Sequence, residues 1–140
     1  MATNFSFNYL PQPYKDPKGN IYDIYRPLIP ARLSYNHKIG QPFYALVDSG
    51  SDKNLFPAAL AIMLGVNIKK GASKNITGIG NATLIAYTHS ITLYIGTKSF
   101  KTEIDFSYDQ QTPLLGRNGF FSLFREIKFS EKVKLVEFII

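Results

Sequence analysis

A long alternation of apolar and polar side chains, from Thr83 to Ile95, constrains the fold of this chain more than any other feature. Alternation with a period of two is typical of a β-strand that buries one of its two faces. The apolar positions that share one face are Ile85, Tyr87, Ile91, Leu93 and Ile95. The segment therefore predicts one long strand of a mainly β fold.

Shorter segments repeat this β-rich character and are separated by turn residues. A turn at Gly96 and Thr97 connects the long strand to a second strand. Another turn, at Ser130 and Glu131, connects two strands near the end of the chain. Besides Thr83 to Ile95, the predicted strands are residues 28–35, 42–48, 97–106 and two segments within 126–140. The sequence therefore predicts several short strands around one long one.

Two short helices interrupt the predicted strands. Residues 57–65 carry Pro at the first helical turn and Gly just past the end, which is the usual asymmetry of helix boundaries. A second helical segment is expected over residues 117–124. A chain of 140 residues is the size of one domain. We therefore expect a single mainly β domain with one or two short helices.

The first 24 residues differ from the rest of the chain. They contain three prolines, and a Pro-Lys-Gly-Asn sequence at 17–20 is suited to a tight turn. We expect residues 1–24 to be an N-terminal extension that forms either a hairpin or a strand of a dimer interface. Residues 25–140 then form the main domain.

The composition excludes several classes of site. The chain has no cysteine, which excludes a disulfide scaffold, a thiolate metal site and a cysteine nucleophile. Its two histidines, His37 and His89, are far apart in the sequence, so no multi-histidine metal site is expected. The composition therefore excludes thiolate and multi-histidine metal sites, and no other cofactor is expected.

The net charge of +6 raises the question of a nucleic-acid partner. The basic excess is spread over both halves of the chain, and the densest group is Lys69, Lys70 and Lys74. We interpret this group as a solvated basic loop, so nucleic acid is not expected as a partner. A basic nucleic-acid adaptor remains the weakest of the alternatives, and steep salt dependence of binding would support it.

Neither a membrane span nor a signal peptide is evident in the sequence. No apolar run approaches the roughly 20 residues that a membrane helix needs. The first residues lack the basic and then apolar pattern of a secretory signal. The expected location is therefore cytoplasmic, with no membrane partner.

The most informative segment runs from Ala45 to Asp52, where an apolar strand ends in Asp48-Ser49-Gly50. A carboxylate at the end of a buried strand is costly unless it is hydrogen-bonded or used in chemistry. Gly50 permits a tight turn that directs backbone N–H groups toward Asp48. The tripeptide alone is also a common turn, so it does not decide between the two interpretations.

A second segment, Pro113 to Phe121, favours a functional carboxylate at Asp48 over a plain turn. It contains the sequence Leu-Leu-Gly-Arg-Asn. Together with the Asp48 segment it resembles the retropepsin-like aspartic proteases, and Gly78-Ile79-Gly80 lies where that family has its glycine-rich flap. The resemblance covers roughly residues 25 to 138. It implies a closed or partly open β-barrel of the retropepsin type that is active as a homodimer.

The resemblance also implies roles for the residues of the two segments. Asp48 is the expected catalytic carboxylate, and the Ser49 hydroxyl is expected to bond across to the loop of a partner copy. Gly116 is expected to allow close approach of the two segments. An ion pair between Asp52 and Arg117 is expected to fix their geometry, and removing one partner of such a buried pair costs about 3–5 kcal/mol.

Further residues are implied to contact the substrate or to support the loop. The glycines of the flap are expected to place Ile79 at its tip over the substrate. Leu46 and Leu114 are expected to line the pockets beside the scissile bond. Gly50 and Ser51 complete the loop, and a Ser51 hydroxyl directed at Asp48 would shift the pH optimum toward acid. The expected site residues are Asp48, Ser49, Gly50, Ser51, Asp52, Gly116, Arg117, Leu46, Gly78, Ile79, Gly80 and Leu114.

The number of Asp-Ser-Gly segments determines the expected architecture. No other aspartate of the chain is followed by Ser-Gly or Thr-Gly, whereas the chemistry needs two carboxylates that face one water. A two-fold homodimer would supply the second Asp48. The predicted function is therefore an aspartic endopeptidase that cleaves extended peptides. The alternative is a dimeric peptide- or protein-binding module with the same fold and no catalysis.

Overall fold

The computed structural model describes residues 4–140, except for the side chain of Ile79. It is mainly β, as the sequence predicts, and its one α-helix, α1 (Ala58–Ile62), is followed by Gly65 in the left-handed region at φ 79°. The strands, in chain order, are β1 (Asn4–Asn8), β2 (Leu10–Lys15), β3 (Ile21–Arg26), β4 (Leu28–Tyr35), β5 (Lys38–Ile39), β6 (Phe43–Val47), β7 (Leu55–Pro57), β8 (Ala72–Thr77), β9 (Thr83–Ile95), β10 (Lys98–Ser107), β11 (Leu114–Leu115), β12 (Glu126–Ser130) and β13 (Leu135–Ile139).

A closed barrel forms the centre of the molecule. Its six strands follow the order β4, β6, β11, β7, β10 and β9, and the pairing of β9 with β4 closes the ring. Strands β5 and β8 are attached outside the ring, to β4 and β9 respectively. Because closure pairs the ring strands on both sides, the edges of this sheet lie on β5 and β8, outside the ring.

Apolar side chains from every part of the ring fill the barrel. Aromatic rings meet edge to face inside it, with the centroids of Phe56 and Phe106 6.3 Å apart. The fully buried residues of the ring strands include Ile29, Ala45, Phe56, Ile91, Leu93, Ile95, Ile104, Phe106 and Leu115. This core fixes the strands from which the candidate site projects.

Strand β9 matches its predicted bounds, but its buried face changes along its length. Ile91, Leu93 and Ile95 are buried as predicted, whereas Ile85 is 50% exposed and the neighbouring Ala86 is buried. The first half of β9 pairs with β8 outside the ring, and only the second half also pairs with β4. The expectation that the same face of β9 is buried along its whole length was therefore wrong, because the two halves of the strand have different surroundings.

The two ends of the chain form a separate three-stranded sheet. Strand β13 lies between β1 and β12, and the Phe138 ring packs on Phe5 and Phe120 with centroids 5.4 and 5.6 Å apart. Buried Tyr9, just after β1, donates its hydroxyl to Glu131, and burial together with this neighbour raises the pKa of Tyr9. The N-terminal strand is thus tied to the C-terminal one within a single chain.

Residues 10–26 form a hairpin of their own. Strands β2 and β3 pair with each other and form a two-stranded sheet, and the turn between them contains the predicted Pro17 to Asn20 sequence. Tyr22 and Ile21 are 50% and 71% exposed. The backbone then enters the barrel at Pro27, whose carbonyl accepts a hydrogen bond from the Val47 amide at 3.0 Å.

The predicted helix over residues 117–124 is reduced to a single 3₁₀ turn, Phe121–Leu123. Gly119 adopts φ 110° and Phe120 adopts φ −132°, so neither has helical geometry. The fully buried Phe120 ring packs on Phe124 and Phe138. Tertiary packing of this ring therefore overrides the local helical pattern.

No helix in the described part of the chain is both long and apolar enough to cross a bilayer.

Candidate active site

Asp48 lies immediately after β6, where the chain leaves the barrel. Its backbone N–H donates to the Leu115 carbonyl at 2.9 Å, which extends the parallel pairing of β6 with β11. The Gly50 N–H donates to Asp48 Oδ1 at 2.9 Å. Asp48 is half-buried as a residue, so the turn orients one carboxyl oxygen while the side chain keeps access to the surface.

The loop after Asp48 interlocks with the loop after β11. The Arg117 and Asn118 amides donate to the Ser51 and Asp52 carbonyls, each at 2.8 Å. A Cβ atom on Gly116 would lie 2.2 Å from the Lys53 oxygen and 2.7 Å from that of Ser51. Only glycine fits at this position, so the close approach expected from the sequence is present.

Asn54 joins the same two loops, and the sequence analysis missed it. Its side chain is fully buried; Oδ1 accepts from the Gly116 amide at 3.0 Å, and Nδ2 donates to the Glu103 carbonyl at 3.1 Å. The signal in the sequence was a polar amide directly before apolar Leu55 and Phe56. Such a residue must be paired when it is buried, and here it fixes the distance between the loops.

The expected ion pair between Asp52 and Arg117 is not formed. Within residues 4–140 the side-chain ion pairs are Lys74 with Asp105 and Lys128 with Glu126. Asp52 and Arg117 are both exposed, and backbone hydrogen bonds already join their loops. The expectation was wrong because the geometry of the loops is set by backbone groups and Asn54 rather than by a buried charge pair.

The two serines of the Asp48 loop have different surroundings. Ser49 is exposed, so its expected contact with a partner copy remains a prediction. The Ser51 hydroxyl donates to the Lys53 carbonyl at 2.8 Å. A Ser51 hydrogen bond to Asp48 was therefore the wrong expectation, because the hydroxyl caps the turn that follows.

Asp48 opens into a cleft of about 810 Å³. Leu55 and Leu114 line its base, while Ile76, Gly78 and Leu84 line the opposite side. The remaining Asp48-loop residues on its lining are Gly50, Ser51, Asp52 and Lys53. The cleft thus combines an apolar part with a polar part that includes Asp48, and its volume is in the range of ligand-binding sites.

Leu46 lies outside this cleft, contrary to its expected role beside Leu114. Its neighbours Ala45 and Val47 are buried in the barrel, so Leu46 points to the opposite face of β6. There it is half-buried and its backbone pairs with Leu114 of β11. Alternation along the strand therefore separates it from the cleft lining within one chain.

A hairpin formed by β8 and the first half of β9, residues 72–88, makes one wall of the cleft. At its end the Gly78 amide donates to the Ala82 carbonyl at 2.7 Å. Gly80 and Asn81 adopt φ 76° and 62°, which close the turn. Gly80 is exposed and does not line the cleft. The side chain of Ile79, expected at the tip, lies outside the described part of the structure.

A second acid, Asp105, also reaches the cleft and was not expected from the sequence. It is only 2% exposed; Oδ1 accepts from the Thr88 hydroxyl at 2.6 Å, and Oδ2 lies 2.7 Å from Lys74 Nζ. Lys74 was expected to be a solvated member of a basic loop. That expectation was wrong, since this ammonium group is paired with a buried carboxylate.

The structure resembles solved proteins of one fold. A retropepsin-like aspartic protease from Rickettsia conorii is similar with a TM-score of 0.61 and 16% identity, over 99% of this chain and 94% of that one. The EIAV protease, solved with the inhibitor HBY-793, is similar with a TM-score of 0.52 and 20% identity, over 66% of this chain and 82% of that one.

No protein-family model matches the chain, and no curated protein matches it in sequence. The likeness therefore lies in the arrangement of the strands, since identities of this size show a common fold only. The chain has the fold of the retropepsin-like aspartic proteases, which confirms the expected fold class.

Proposed function

We propose that the protein is an aspartic endopeptidase in which Asp48 and its copy in a homodimer activate one water molecule. The observation that carries the proposal is the position of Asp48. Its carboxyl group is oriented by the Gly50 amide at 2.9 Å and opens into a cleft of about 810 Å³. The retropepsin-like fold of the chain supports this function.

A second copy is proposed because no other carboxylate of the cleft suits the task. Asp105 is buried and already engaged by Lys74 and Thr88. Asp52 and Asp109 lie on exposed loops that lack the Ser-Gly turn. Two-fold symmetry would instead place two identical Asp48 loops opposite one another.

The proposed chemistry uses one proton shared between the two carboxyl groups. Two carboxylates about 3 Å apart do not both ionise readily, so their titration belongs to the pair. The ionised group removes a proton from water as the oxygen attacks the peptide carbonyl, and the protonated group donates to the carbonyl oxygen. Breakdown of the tetrahedral intermediate transfers a proton to the leaving amine and releases both peptide fragments.

The cleft suits an extended peptide. Strand β8 pairs with β9 on one side only, so its other edge has backbone groups available to a bound strand. Leu55, Ile76, Leu84 and Leu114 line the cleft. We therefore infer that apolar side chains flank the cleaved bond.

The proposed dimer interface differs from an exchange of chain ends. Strands β1 and β13 already pair with each other in one chain. The hairpin of residues 10–26 enters the barrel at Pro27, beside Val47 and therefore one residue from Asp48. We infer that this hairpin, which overlaps most of the proposed N-terminal extension of residues 1–24, contacts the second copy.

Cleavage of an unbiased peptide library from acidic to neutral pH tests the proposal. Cleavage should occur between apolar residues, be inhibited by pepstatin, and fall by at least about 10³-fold in Asp48→Asn. This variant keeps the shape of the side chain, so the fold is expected to persist. Equal cleavage by the variant would contradict the proposal. Peptide binding without cleavage by the wild type would instead support the alternative of a binding module.

A further inference from the structure

The β8–β9 hairpin of residues 72–88 is attached to the barrel asymmetrically. Its inner strand β9 continues into the ring, whereas its outer strand β8 pairs only with β9. Of the two side-chain ion pairs within residues 4–140, Lys128 with Glu126 lies inside one strand. The other, Lys74 with Asp105, joins β8 to β10 of the barrel at 2.7 Å.

On the barrel side of this contact is the buried carboxylate of Asp105, which is stable as an anion only beside a cation. The Asp105 side chain is 3% exposed, and its position on β10 is opposite Thr88 of β9 and Leu55 of β7. The Thr88 hydroxyl donates to one carboxyl oxygen at 2.6 Å. A buried carboxylate with no cation is strongly unfavourable. Lys74, whose side chain is 36% exposed, supplies that cation from the hairpin.

The contact lies three residues beyond the point where the chain entering β8 packs closely on β9. At the start of β8, a Cβ atom on Gly71 would lie 2.5 Å from the Thr88 carbonyl and 2.6 Å from His89 Nε2, so the backbones are closely packed there. After Lys74, Asn75 and Thr77 are exposed. The side chain of Lys74 therefore makes the last ionic contact with the barrel before the turn.

The same contact lies on the wall of the cleft. Lys74 and Asp105 both line the cleft that contains Asp48. Gly78, where the turn begins, is four residues beyond Lys74, which corresponds to about 13 Å along an extended strand. A small rotation of the strand at Lys74 therefore produces a larger displacement of the turn at Gly78.

We propose that Lys74 and Asp105 are positioning residues that hold the β8–β9 hairpin at a fixed height over Asp48. The proposal rests on the proposed function, in which this hairpin closes as a flap over a bound peptide. Loss of the ion pair frees the outer strand and lowers the occupancy of the closed hairpin. The expected kinetic result is an increase in KM that exceeds the decrease in kcat, because closure retains the peptide.

Hydrogen exchange of the full-length protein tests the position of the hairpin without any need for catalysis. Lys74→Met should accelerate exchange of amides in residues 75–84 about tenfold relative to the wild type, with β6 unchanged. Lys70→Met is the matched control, because Lys70 is an exposed lysine on the same segment outside both ion pairs. Lys74→Arg keeps the cation and should restore exchange close to the wild-type rate.

Two results would overturn the proposal. The first is equal exchange of residues 75–84 in Lys74→Met and Lys70→Met. The second is faster exchange throughout β6 and β10 in Lys74→Met, which would show that the pair stabilises the whole barrel. Asp105→Asn should reproduce the hairpin effect with a side chain of the same shape. If the wild type cleaves no peptide, the proposed function fails while the exchange result still decides the role of the pair.

Discussion

The Asp48 loop and the β8–β9 hairpin face the same cleft but are attached to the barrel by different kinds of contact. The loop is fixed by backbone hydrogen bonds to the Leu115 and Gly116 region and by the fully buried amide of Asn54. Among the residues that the structure describes, the hairpin is joined to the barrel along β9 and through one side-chain ion pair, Lys74 with Asp105. Asp48, the group proposed to react, is therefore on the side that is fixed at several points, and the hairpin proposed to close over a peptide is attached at fewer points.

Gly116→Ala should give the largest effect, because it acts on the rigid side. The added Cβ would lie 2.2 Å from the Lys53 oxygen, and both atoms are held by the interlocked backbone. We expect a loss of unfolding free energy of about 3 kcal/mol and a complete loss of cleavage. Urea unfolding and the peptide assay measure the two losses.

The matched control for that substitution is Gly78→Ala in the hairpin. A Cβ atom there would meet only the Ala82 carbonyl, at 3.9 Å, and the backbone φ of −102° suits any residue. The expected change in unfolding free energy is within about 0.5 kcal/mol. Similar losses in both variants would contradict the contrast between the two regions.

Asn54→Ala should have the next largest effect. It removes the buried side-chain amide, so the Gly116 N–H and the Glu103 carbonyl each lose the hydrogen bond to Asn54. Each unpaired buried group costs about 1–3 kcal/mol, and we expect a total loss of about 2–4 kcal/mol in urea unfolding. Asn75→Ala, on the exposed hairpin strand, is the control and should change stability by less than about 0.5 kcal/mol.

Local and periodic features of the sequence predicted the mainly β class, and the resemblance carried by two motifs predicted the barrel. The long strand from Thr83 to Ile95, the helix after Pro57 and the two strands within 126–140 are all present. The position of Asp48 at the end of β6, beside the Leu114 and Leu115 strand, also follows from the two segments that carry the resemblance. These features depend on neighbouring residues or on a specific pair of motifs, which a single sequence reveals.

The details of the site were less predictable because they depend on contacts between distant residues. Asp105 and Lys74 meet only when β8 and β10 fold around the same cleft. Asn54 bridges to Gly116, which is 62 residues away. The expected pairing of Asp52 with Arg117 was wrong for the same reason, since the loop is already fixed by groups that carry no charge.

The smallest expected effect is the coupling energy between Asp52 and Arg117, which form no ion pair in the structure. Asp52 and Arg117 are exposed, so a double-mutant cycle of Asp52→Ala and Arg117→Ala should give a coupling energy below about 0.5 kcal/mol. The measurement is urea unfolding of the wild type, both single variants and the double variant. A coupling energy of about 3 kcal/mol would instead require the buried ion pair that the sequence suggested.

Subunit mixing tests the central claim most directly, because the account requires one Asp48 from each of two copies. Wild-type protein is equilibrated with a ninefold excess of Asp48→Asn, and cleavage is compared with that of the same amount of wild type in an inert protein. Random pairing leaves about one wild-type chain in ten with a wild-type partner, so cleavage should fall to roughly one tenth. Undiminished cleavage after subunit exchange would contradict the account.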